Sequence, residues 1–244
     1  MYNIDEIKNK IICGDCLEKL KLFPDNAVDL IIADPPYGVA TIAPEWDKIR
    51  DKKEYLKFSY KWMREIPRIL KPHGTAYIFA TFDAVAEIKI FLVYYCRLHL
   101  INWIIWKFDL GYHPRRRYKV RATHILYVVK NLDNYVFNKE SIRILSNPKD
   151  RRCNPLGQIP SDVWDISEPR KNSKEYVGHK GQKPISLIKR MVLASSNEED
   201  IILDPFFGSG TTDVVCKNLN RDFIGIEICP EYCRMARKRI DEIC

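Results

Sequence analysis

Apolar positions in this chain follow two patterns, short continuous runs and longer stretches in which they recur at helical spacing. The continuous runs predict buried strands at residues 11–13, 28–33, 75–80, 100–106, 124–130, 201–203 and 223–226. The stretches with helical spacing predict helices at residues 17–22, 55–70, 82–95 and 184–194, and two more that begin at Thr212 and Pro230. Apolar strands that alternate with helices indicate a mostly parallel sheet with helices on both faces, which is the α/β class.

Two local features refine this outline. The helix at 55–70 is expected to stop at Lys71-Pro72-His73-Gly74, because proline and glycine end helices. Residues 138–178 follow neither pattern and are rich in Pro, Asn, Ser, Lys and Arg, with only 163–166 spaced like an anchored segment. No repeat or long linker divides the chain. We therefore expect a single domain, 1–244, with a small inserted recognition element at about 139–178.

Charge adds a candidate partner. The net charge is +8 and the pI is near 9.0, which suits a polyanionic partner. Between residues 107 and 130 the cations are accompanied by a single acid, Asp109, and so one-sided a stretch predicts a surface that faces phosphates. These cations are Lys107, Arg115, Arg116, Arg117, Lys119, Arg121 and Lys130.

Other features exclude whole classes of protein. The most apolar stretch, 91–106, is too short to cross a bilayer and is interrupted by polar residues. The N-terminus lacks the pattern of a signal peptide, so we expect a cytoplasmic protein with reduced, buried cysteines. Cys13 and Cys16 have a CxxC spacing, but the paired short-spaced ligands of a zinc site are missing, and no metal is predicted.

Two segments, each at the end of a predicted strand, carry the candidate chemistry. Asp34-Pro35-Pro36-Tyr37 follows the strand 28–33, and residues 204–212, with the sequence DPFFGSGTT, follow the strand 201–203. Ligands of open α/β sheets bind at the carboxyl ends of strands. The first segment offers a carboxylate, a rigid backbone and an aromatic ring, and the second offers glycines where a ligand can approach the main chain.

The second segment favours an adenosine ligand without phosphate. Glu227 stands nineteen positions beyond Gly208 at the end of the next strand, where an acid suits ribose hydroxyls. Asp213 occupies the position of the third glycine of a GxGxxG motif, and no lysine follows Gly210 to make a phosphate-binding loop. An adenosine that carries an amino acid fits better. The alternative is a tight turn in which the glycines serve packing alone.

Together these segments resemble the catalytic and S-adenosylmethionine-binding motifs of DNA amino-methyltransferases, which methylate exocyclic amines of adenine or cytosine. Residues 179–184, HKGQKP, resemble the family's HxxQKP segment, and residues 69–79 resemble its LKPGG strand lead-in, with His73 in place of a glycine. Trp46-Asp47 and Trp106-Lys107 are also similar to the family. The catalytic motif precedes the cofactor motif, which is the circularly permuted order of the β-class enzymes.

The resemblance implies a Rossmann-like methyltransferase fold, base flipping and direct methyl transfer from S-adenosylmethionine. It implies these catalytic residues: Asp34, Pro35, Pro36 and Tyr37. It implies these cofactor-binding residues: Asp15, Asp34, Lys183, Asp204, Phe206, Gly208, Ser209, Gly210, Thr211, Thr212 and Glu227. By location, the residues expected to bind DNA are Arg115, Arg116, Arg117, Lys119, Arg121, Arg151 and Arg152.

The resemblance also orders the candidate substrates. Asp at the first motif position is the usual adenine form, so N6 of adenine in a short double-stranded DNA site is favoured and N4 of cytosine is the alternative. Related enzymes methylate RNA or protein glutamine, and these remain rivals, as do a non-catalytic DNA-binding module and a nucleotide-dependent dehydrogenase. The family's habits allow a homodimer and a cognate restriction endonuclease as partners.

Overall fold

The computed structural model describes residues 1–37, 51–109, 115–116, 118–144, 154 and 156–242. Within these residues, eight strands form one sheet. The strands are β1 (Lys10–Cys13), β2 (Val28–Ala33), β3 (Leu70–Ala80), β4 (His99–Lys107), β5 (Ala122–Val129), β6 (Val163–Asp165), β7 (Ile201–Asp204) and β8 (Asp222–Glu227). The helices are α1 (Ile4–Ile7), α2 (Cys16–Lys19), α3 (Lys52–Met63), α4 (Ile66–Ile69), α5 (Val85–Ile90), α6 (Ile185–Ser195), α7 (Thr211–Asn218) and α8 (Pro230–Asp241).

The sheet is mixed and mostly parallel, with the strand order β1-β8-β7-β2-β3-β5-β4-β6. Among the described strands, β5 alone runs opposite to the other seven. Strands β2 and β7 are adjacent, with Leu30 opposite Ile202. The segments that follow these two strands therefore meet at the same edge of the sheet, although they lie far apart in sequence. The predicted α/β class and the permuted order of the motifs are confirmed.

Two hydrophobic cores cover the two faces of the sheet. Alternate residues of β2 point to opposite sides, so that Ile31 joins one core and Leu30 and Ile32 join the other. The first core contains side chains from α2 to α5, and the second contains side chains from α6, α7 and α8. The expected helices on both faces are thus present, and they fix the strand ends that carry the candidate chemistry.

Strand β3 begins earlier than predicted and supplies partners for the buried carboxylate of Asp29. The expected helix stop is confirmed, because α4 ends at Ile69 with Leu70 as its C-cap, but β3 begins at Leu70 and so already includes residues 71–74. Asp29 is 3% exposed within β2, and its carboxylate accepts hydrogen bonds from Lys71 Nζ at 2.7 Å and from the backbone of Ile201 at 2.9 Å, while His73 Nε2 lies 2.8 Å from it. Burying a charge is costly unless it is paired. The partners of Asp29 are therefore supplied by the early part of β3.

Two predicted helices are interrupted. The helix expected at 55–70 divides into α3 and α4 before Pro67, because proline cannot donate the backbone hydrogen bond of a helix interior. The helix expected at 82–95 begins at Val85 and continues as a π-helical turn over Phe91–Tyr95. No helix within the described residues has the length and apolar character needed to span a membrane.

The expectation that all cysteines are reduced was wrong for one pair. Cys13 at the end of β1 and Cys233 in α8 form a disulfide. The two cysteines are far apart in sequence but close in space because α8 packs against β1. Cys16, Cys96 and Cys216 are buried free thiols, as expected.

Candidate active site

A cavity of about 540 Å³ opens at the carboxyl ends of β1, β2, β7 and β8. Its size falls within the range of about 300–1,000 Å³ that is usual for small-molecule sites. The predicted site residues that line it are Asp15, Asp34, Pro35, Pro36, Tyr37, Lys183, Asp204, Phe206, Gly208, Ser209, Thr211, Thr212 and Glu227. The two distant segments therefore contribute walls to the same cavity.

Both carboxylate oxygens of Asp34 hold hydrogen-bond donors at the cavity wall. The Tyr37 hydroxyl donates to Oδ1 at 2.5 Å, and the Lys183 ammonium donates to Oδ2. The Asp34 side chain is 23% exposed, so this carboxylate is accessible without lying in open solvent. An incoming amine has to share or replace one of these two donors. Asp34 is thus placed to accept N–H groups from a ligand in the cavity.

Lys183 connects the catalytic segment to the glycine loop, residues 204–212. Besides its ion pair with Asp34, its ammonium lies 5.5 Å from the centroid of the Phe79 ring. Its backbone carbonyl accepts a hydrogen bond from Thr211 Oγ1 at 3.1 Å. The side chain and the main chain of one residue therefore contact the two segments that the sequence predicted to converge.

The start of the glycine loop is held by the buried carboxylate of Asp204. Its Oδ1 accepts from the backbone of Phe206 at 3.0 Å, and its Oδ2 accepts from Thr212 Oγ1 at 2.6 Å. Burial raises the pKa of Asp204 to about 7, against the opposing effect of these hydrogen bonds. Asp204 therefore closes the loop from strand to helix and positions the backbone that faces the cavity.

The two glycines of this loop have different surroundings. Gly208 lines the cavity at φ +55°, and a Cβ there would lie 3.3 Å from His179 Cε1. Gly210, at φ +74°, does not line the cavity, and a Cβ there would lie 2.8 Å from Asp213 Oδ2. Gly208 leaves main chain accessible to a ligand, whereas Gly210 makes room for a buried side chain beneath the loop.

That buried side chain, Asp213, explains the missing third glycine. Its Oδ1 accepts from the backbone of Val214 at 2.5 Å, and its Oδ2 has no hydrogen-bond partner among the described atoms. Burial raises the pKa of Asp213 to about 8. The carboxyl group lies under the loop instead of facing a ligand, so the loop differs from a phosphate-binding glycine loop in its interior as well as in its sequence.

Two acids stand at the ends of neighbouring strands on the far side of the cavity. Glu227 accepts from the backbone of Gly208 at 2.8 Å and of Cys229 at 2.7 Å, and burial raises the pKa of its carboxyl group. Asp15 caps α2 by accepting from the backbone of Leu17 at 2.9 Å. Each carboxylate keeps lone pairs for a ligand after these bonds.

These surroundings fit S-adenosylmethionine. Glu227 offers acceptors for ribose hydroxyls, Asp15 offers an acceptor for an adenine amine, and Lys183 offers a cation for the amino-acid carboxylate. Apolar walls from Phe206 and Ile226 suit a purine ring. These acceptors and this cation thus complement an adenosine that carries an amino acid.

His179, part of the HxxQKP segment, packs against the glycine loop. It is 9% exposed, its Nδ1 accepts from the backbone of Gly181 at 3.1 Å, and its ring lies edge-on to Tyr232 with centroids 4.3 Å apart. Burial, with a smaller contribution from Lys183, lowers the pKa of His179 to about 4. The imidazole is therefore neutral near pH 7 and fills the space that a side chain at Gly208 would take.

Arg239 supports the glycine loop, and the sequence did not single it out. It comes from α8 and is 6% exposed, and its guanidinium donates to the Ser209 carbonyl at 3.1 Å, to Thr211 Oγ1 at 3.2 Å and to the Glu175 carbonyl at 3.3 Å. It ties the glycine loop to the end of the predicted insertion. Nothing in the local sequence marks it, because a cation is ordinary on an amphipathic helix.

We expect Arg239→Met to raise the KM for the cofactor by about tenfold with little change in kcat, because a charged hydrogen bond contributes about 1.5–3 kcal/mol. Arg239 positions Ser209 and Thr211 but does not itself line the cavity. Steady-state kinetics would measure this, and Arg239→Lys should restore part of the affinity. A lower melting temperature with an unchanged cofactor KM in both variants would reduce Arg239 to a purely structural role.

The residues expected to bind DNA lie partly within the described structure. Strand β4 runs parallel to β3 because both are antiparallel to β5, so the end of β4 and the start of β5, between which the β4–β5 connection runs, lie at the same sheet edge as the cavity. Arg115 and Arg116 are exposed there, and Arg121 pairs with Asp109 at 2.8 Å. Lys119 is half-buried in the same connection. Outside the described residues lie Arg117, Arg151, Arg152 and the segment Trp46-Asp47.

Comparison with known proteins agrees with this geometry. The family model for N6/N4 DNA methylases matches residues 28–238. The fold and the site define a Rossmann-like methyltransferase, and the chain belongs to the DNA methylase family of N6-adenine and N4-cytosine enzymes. The predicted enzyme class, an S-adenosylmethionine-dependent DNA methyltransferase, is confirmed.

Individual relatives cover most of the chain. The Type II methyltransferase M.HpaI of Haemophilus parainfluenzae is 40% identical over 232 residues, which are 95% of this chain and 74% of that protein. The DNA adenine methyltransferase YhdJ of Escherichia coli K12 is 35% identical over 245 residues, with 95% and 82% covered.

Solved structures show the same fold. The crystal structure of the M1.HpyAVI–SAM complex superposes with a TM-score of 0.69 at 29% identity, covering 95% of this chain and 98% of that one. The cytosine-N4-specific PvuII DNA methyltransferase superposes with a TM-score of 0.76 at 18% identity, covering 96% and 90%. At so low an identity the second likeness shows the fold alone.

Proposed function

We propose that this protein transfers a methyl group to N6 of adenine in a short site of double-stranded DNA. The observation that carries the proposal is the position of Asp34, whose carboxylate faces the cavity shared by the catalytic segment and the glycine loop. Asp at the first motif position is the usual adenine form. The relative named as a DNA adenine methyltransferase, at 35% identity, supports the same base.

The chemical problem is that an exocyclic amine is a poor nucleophile, because its lone pair is delocalised into the ring. Two acceptors on the amine hydrogens draw the nitrogen towards a tetrahedral geometry and free the lone pair. The Asp34 carboxylate supplies one acceptor, and the carbonyl of Pro35 supplies the other on a backbone that the proline rings hold rigid. These residues therefore orient the amine and raise its reactivity.

Bound S-adenosylmethionine supplies an electrophilic methyl group from its sulfonium centre. The amine nitrogen would form a bond to this methyl carbon as the carbon–sulfur bond breaks and the sulfonium leaves as a neutral thioether, and Asp34 is placed to accept the proton that the nitrogen loses. Tyr37 and Lys183, which occupy the Asp34 oxygens, have to share or yield one of these positions when the amine arrives. The Lys183 ammonium is free to move because a flexible four-carbon stem carries it.

The cavity also implies how the base reaches Asp34. A base stacked in a duplex cannot present its amine to Asp34 inside a cavity, so the target nucleotide has to be extruded. Tyr37 lines the cavity and offers its ring as a stacking surface for the extruded base. This favours a base-flipping mechanism over attack on a paired base.

The insertion at about 139–178 is proposed as the element that reads the site. It is anchored to the sheet by β6, which pairs with β4, and by Trp106 Nε1, which donates to the Ile166 carbonyl at 2.8 Å. Its end near Glu175 contacts Arg239 and hence the glycine loop. We propose that the chain is one domain with this insertion. A homodimer and a cognate restriction endonuclease remain predictions.

The proposal is tested by identifying the methylated base. The enzyme is incubated with duplex DNA, RNA or protein and with S-adenosylmethionine whose methyl group carries deuterium, and the digested products are analysed by mass spectrometry. We expect the label on N6 of deoxyadenosine. Label on N4 of deoxycytidine would establish the alternative base, and label confined to RNA or to protein would contradict the proposal.

A further inference from the structure

Three lysines form a continuous stripe along the exposed side of α3. Lys53, Lys57 and Lys61 follow one another at intervals of four residues, so they share one face of the helix. Successive members are separated along the helix axis by about 6 Å. All three are exposed. We refer to Lys53, Lys57 and Lys61 as the α3 lysine stripe.

The stripe makes no ion pair within the described part of the chain. No hydrogen bond or ion pair involves these three ammonium groups there, whereas the neighbouring Lys52 is paired with Glu87 at 2.6 Å. The single acid of α3 is Glu54. Like charges four residues apart on a helix repel one another. Binding of an external anion would therefore relieve the repulsion among the three lysines.

The position of α3 makes the target DNA the most suitable anion. Glu54 and Phe58, on the adjacent side of the helix, line the active-site cavity, and the rings of Tyr55 and Tyr37 lie 6.3 Å apart. Lys53 and Lys57 each stand next to one of these lining residues in α3, so the stripe runs beside the cavity. DNA that delivers an extruded base to Asp34 has to lie over the cavity, so its backbone comes close to the stripe.

We propose that the α3 lysine stripe binds consecutive phosphates of the DNA strand next to the extruded base. This inference rests on the proposed function and adds a second contact surface to the basic β4–β5 connection. Lysine suits the role because it acts as a point charge on a flexible stem and does not demand one geometry. The contacts are sequence-independent and serve to hold the duplex in register over the cavity.

The experiment compares two triple variants of the full chain. The test variant carries Lys53→Gln, Lys57→Gln and Lys61→Gln. The control carries Lys21→Gln, Lys189→Gln and Lys238→Gln, which alter exposed lysines on other parts of the surface and change the net charge equally. The dissociation constant of a duplex that contains the methylated site is measured by fluorescence anisotropy over a range of salt concentrations.

The slope of log affinity against log salt reports the number of phosphate contacts, at about 0.9 per contact. We expect the test variant to lose about 2.7 from the magnitude of this slope. Its affinity at 0.1 M salt should fall on the order of 100-fold. The control should keep the wild-type slope, and all three proteins should bind the cofactor equally in calorimetry. Lys57→Gln alone should lower the slope by about 0.9.

The outcomes distinguish a failure of the stripe proposal from a failure of the proposed function. A wild-type slope in the test variant, or an equal loss in the control, overturns the stripe as a specific surface, even if the wild-type enzyme methylates adenine. Loss of self-association without a change in DNA affinity would show that the stripe faces a second protein chain and would also overturn it. Absence of DNA methylation by the wild-type enzyme contradicts the proposed function itself, whatever the slopes are.

Discussion

Replacement of Asp34 by alanine or asparagine is expected to abolish multiple turnover and to lower the single-turnover rate of methyl transfer by about 10²–10⁴-fold. Alanine removes the acceptor. Asparagine keeps its shape but cannot take the proton that the amine loses, and it is a weaker acceptor for the amine hydrogens. The rate is measured in a single turnover with saturating enzyme, cofactor and duplex, so that product release does not mask the chemical step.

A catalytic role is assigned to Asp34 only if its variants still bind the cofactor. We expect the cofactor dissociation constant of both variants to stay close to the wild-type value, because among the described residues the side-chain hydrogen bonds of Asp34 reach the glycine loop only by way of Lys183. Asp5→Asn, at a side chain that is 84% exposed, is the matched control and should leave the rate unchanged. Near-normal methylation by Asp34→Ala would refute the catalytic role.

Replacement of Glu227 by alanine is expected to weaken cofactor binding by about 10- to 100-fold, since hydrogen bonds to a charged acceptor contribute about 1.5–3 kcal/mol. The Glu227 carboxylate lies at the end of β8 and holds the backbone of Gly208 and Cys229, so its loss removes a ribose acceptor and loosens the loop. Calorimetric titration with the cofactor measures the effect. Saturating cofactor should restore most of the rate.

A cofactor analogue without the two ribose hydroxyls distinguishes the loss of the ribose acceptor from the loosening of the glycine loop. The analogue should bind the wild-type protein more weakly than the native cofactor does. Glu227→Ala should bind the two with nearly equal affinity, because the partner of the hydroxyls is gone. An unchanged dissociation constant in Glu227→Ala, or an undiminished preference for the hydroxyls, would remove the ribose role from Glu227.

Much of this site could be predicted from the sequence because it lies at strand ends. The apolar runs that predicted β2 and β7 are fully buried strands, and the residues that follow them reach the same cavity. A short motif that directly follows a parallel strand lies at the carboxyl edge of the sheet, where ligands of such folds bind. Strand ends and motif residues are therefore the part of the structure that local sequence determines most strongly.

Other features depend on contacts that local sequence does not encode. Asp29 in the middle of an apolar strand gave no sign that Lys71 and His73 would pair with it, and this pairing extended β3 beyond its predicted start. Arg239 resembles any surface cation until the burial of α8 is known. The Cys13–Cys233 disulfide likewise depends on the packing of α8 against β1.

Gly210 shows how a correct motif can contain residues with different purposes. The sequence predicts that a ligand approaches the backbone at both glycines of the loop. The structure keeps Gly208 at the cavity wall and surrounds Gly210 with Asp213 and Ala236. The need for glycine at position 210 comes from a positive φ and from the packing beneath the loop, which only the three-dimensional structure reveals.

The most direct test of the account is a crystal structure of the protein with a non-reactive cofactor analogue and duplex DNA that contains the methylated site. We expect the ligand ribose at Glu227 and its amino-acid end near Lys183. The extruded adenine should stack on Tyr37, with N6 about 2.6–3.2 Å from both the Asp34 carboxylate and the Pro35 carbonyl. A target base that remains stacked in the duplex, or a target amine held away from Asp34, would contradict the account.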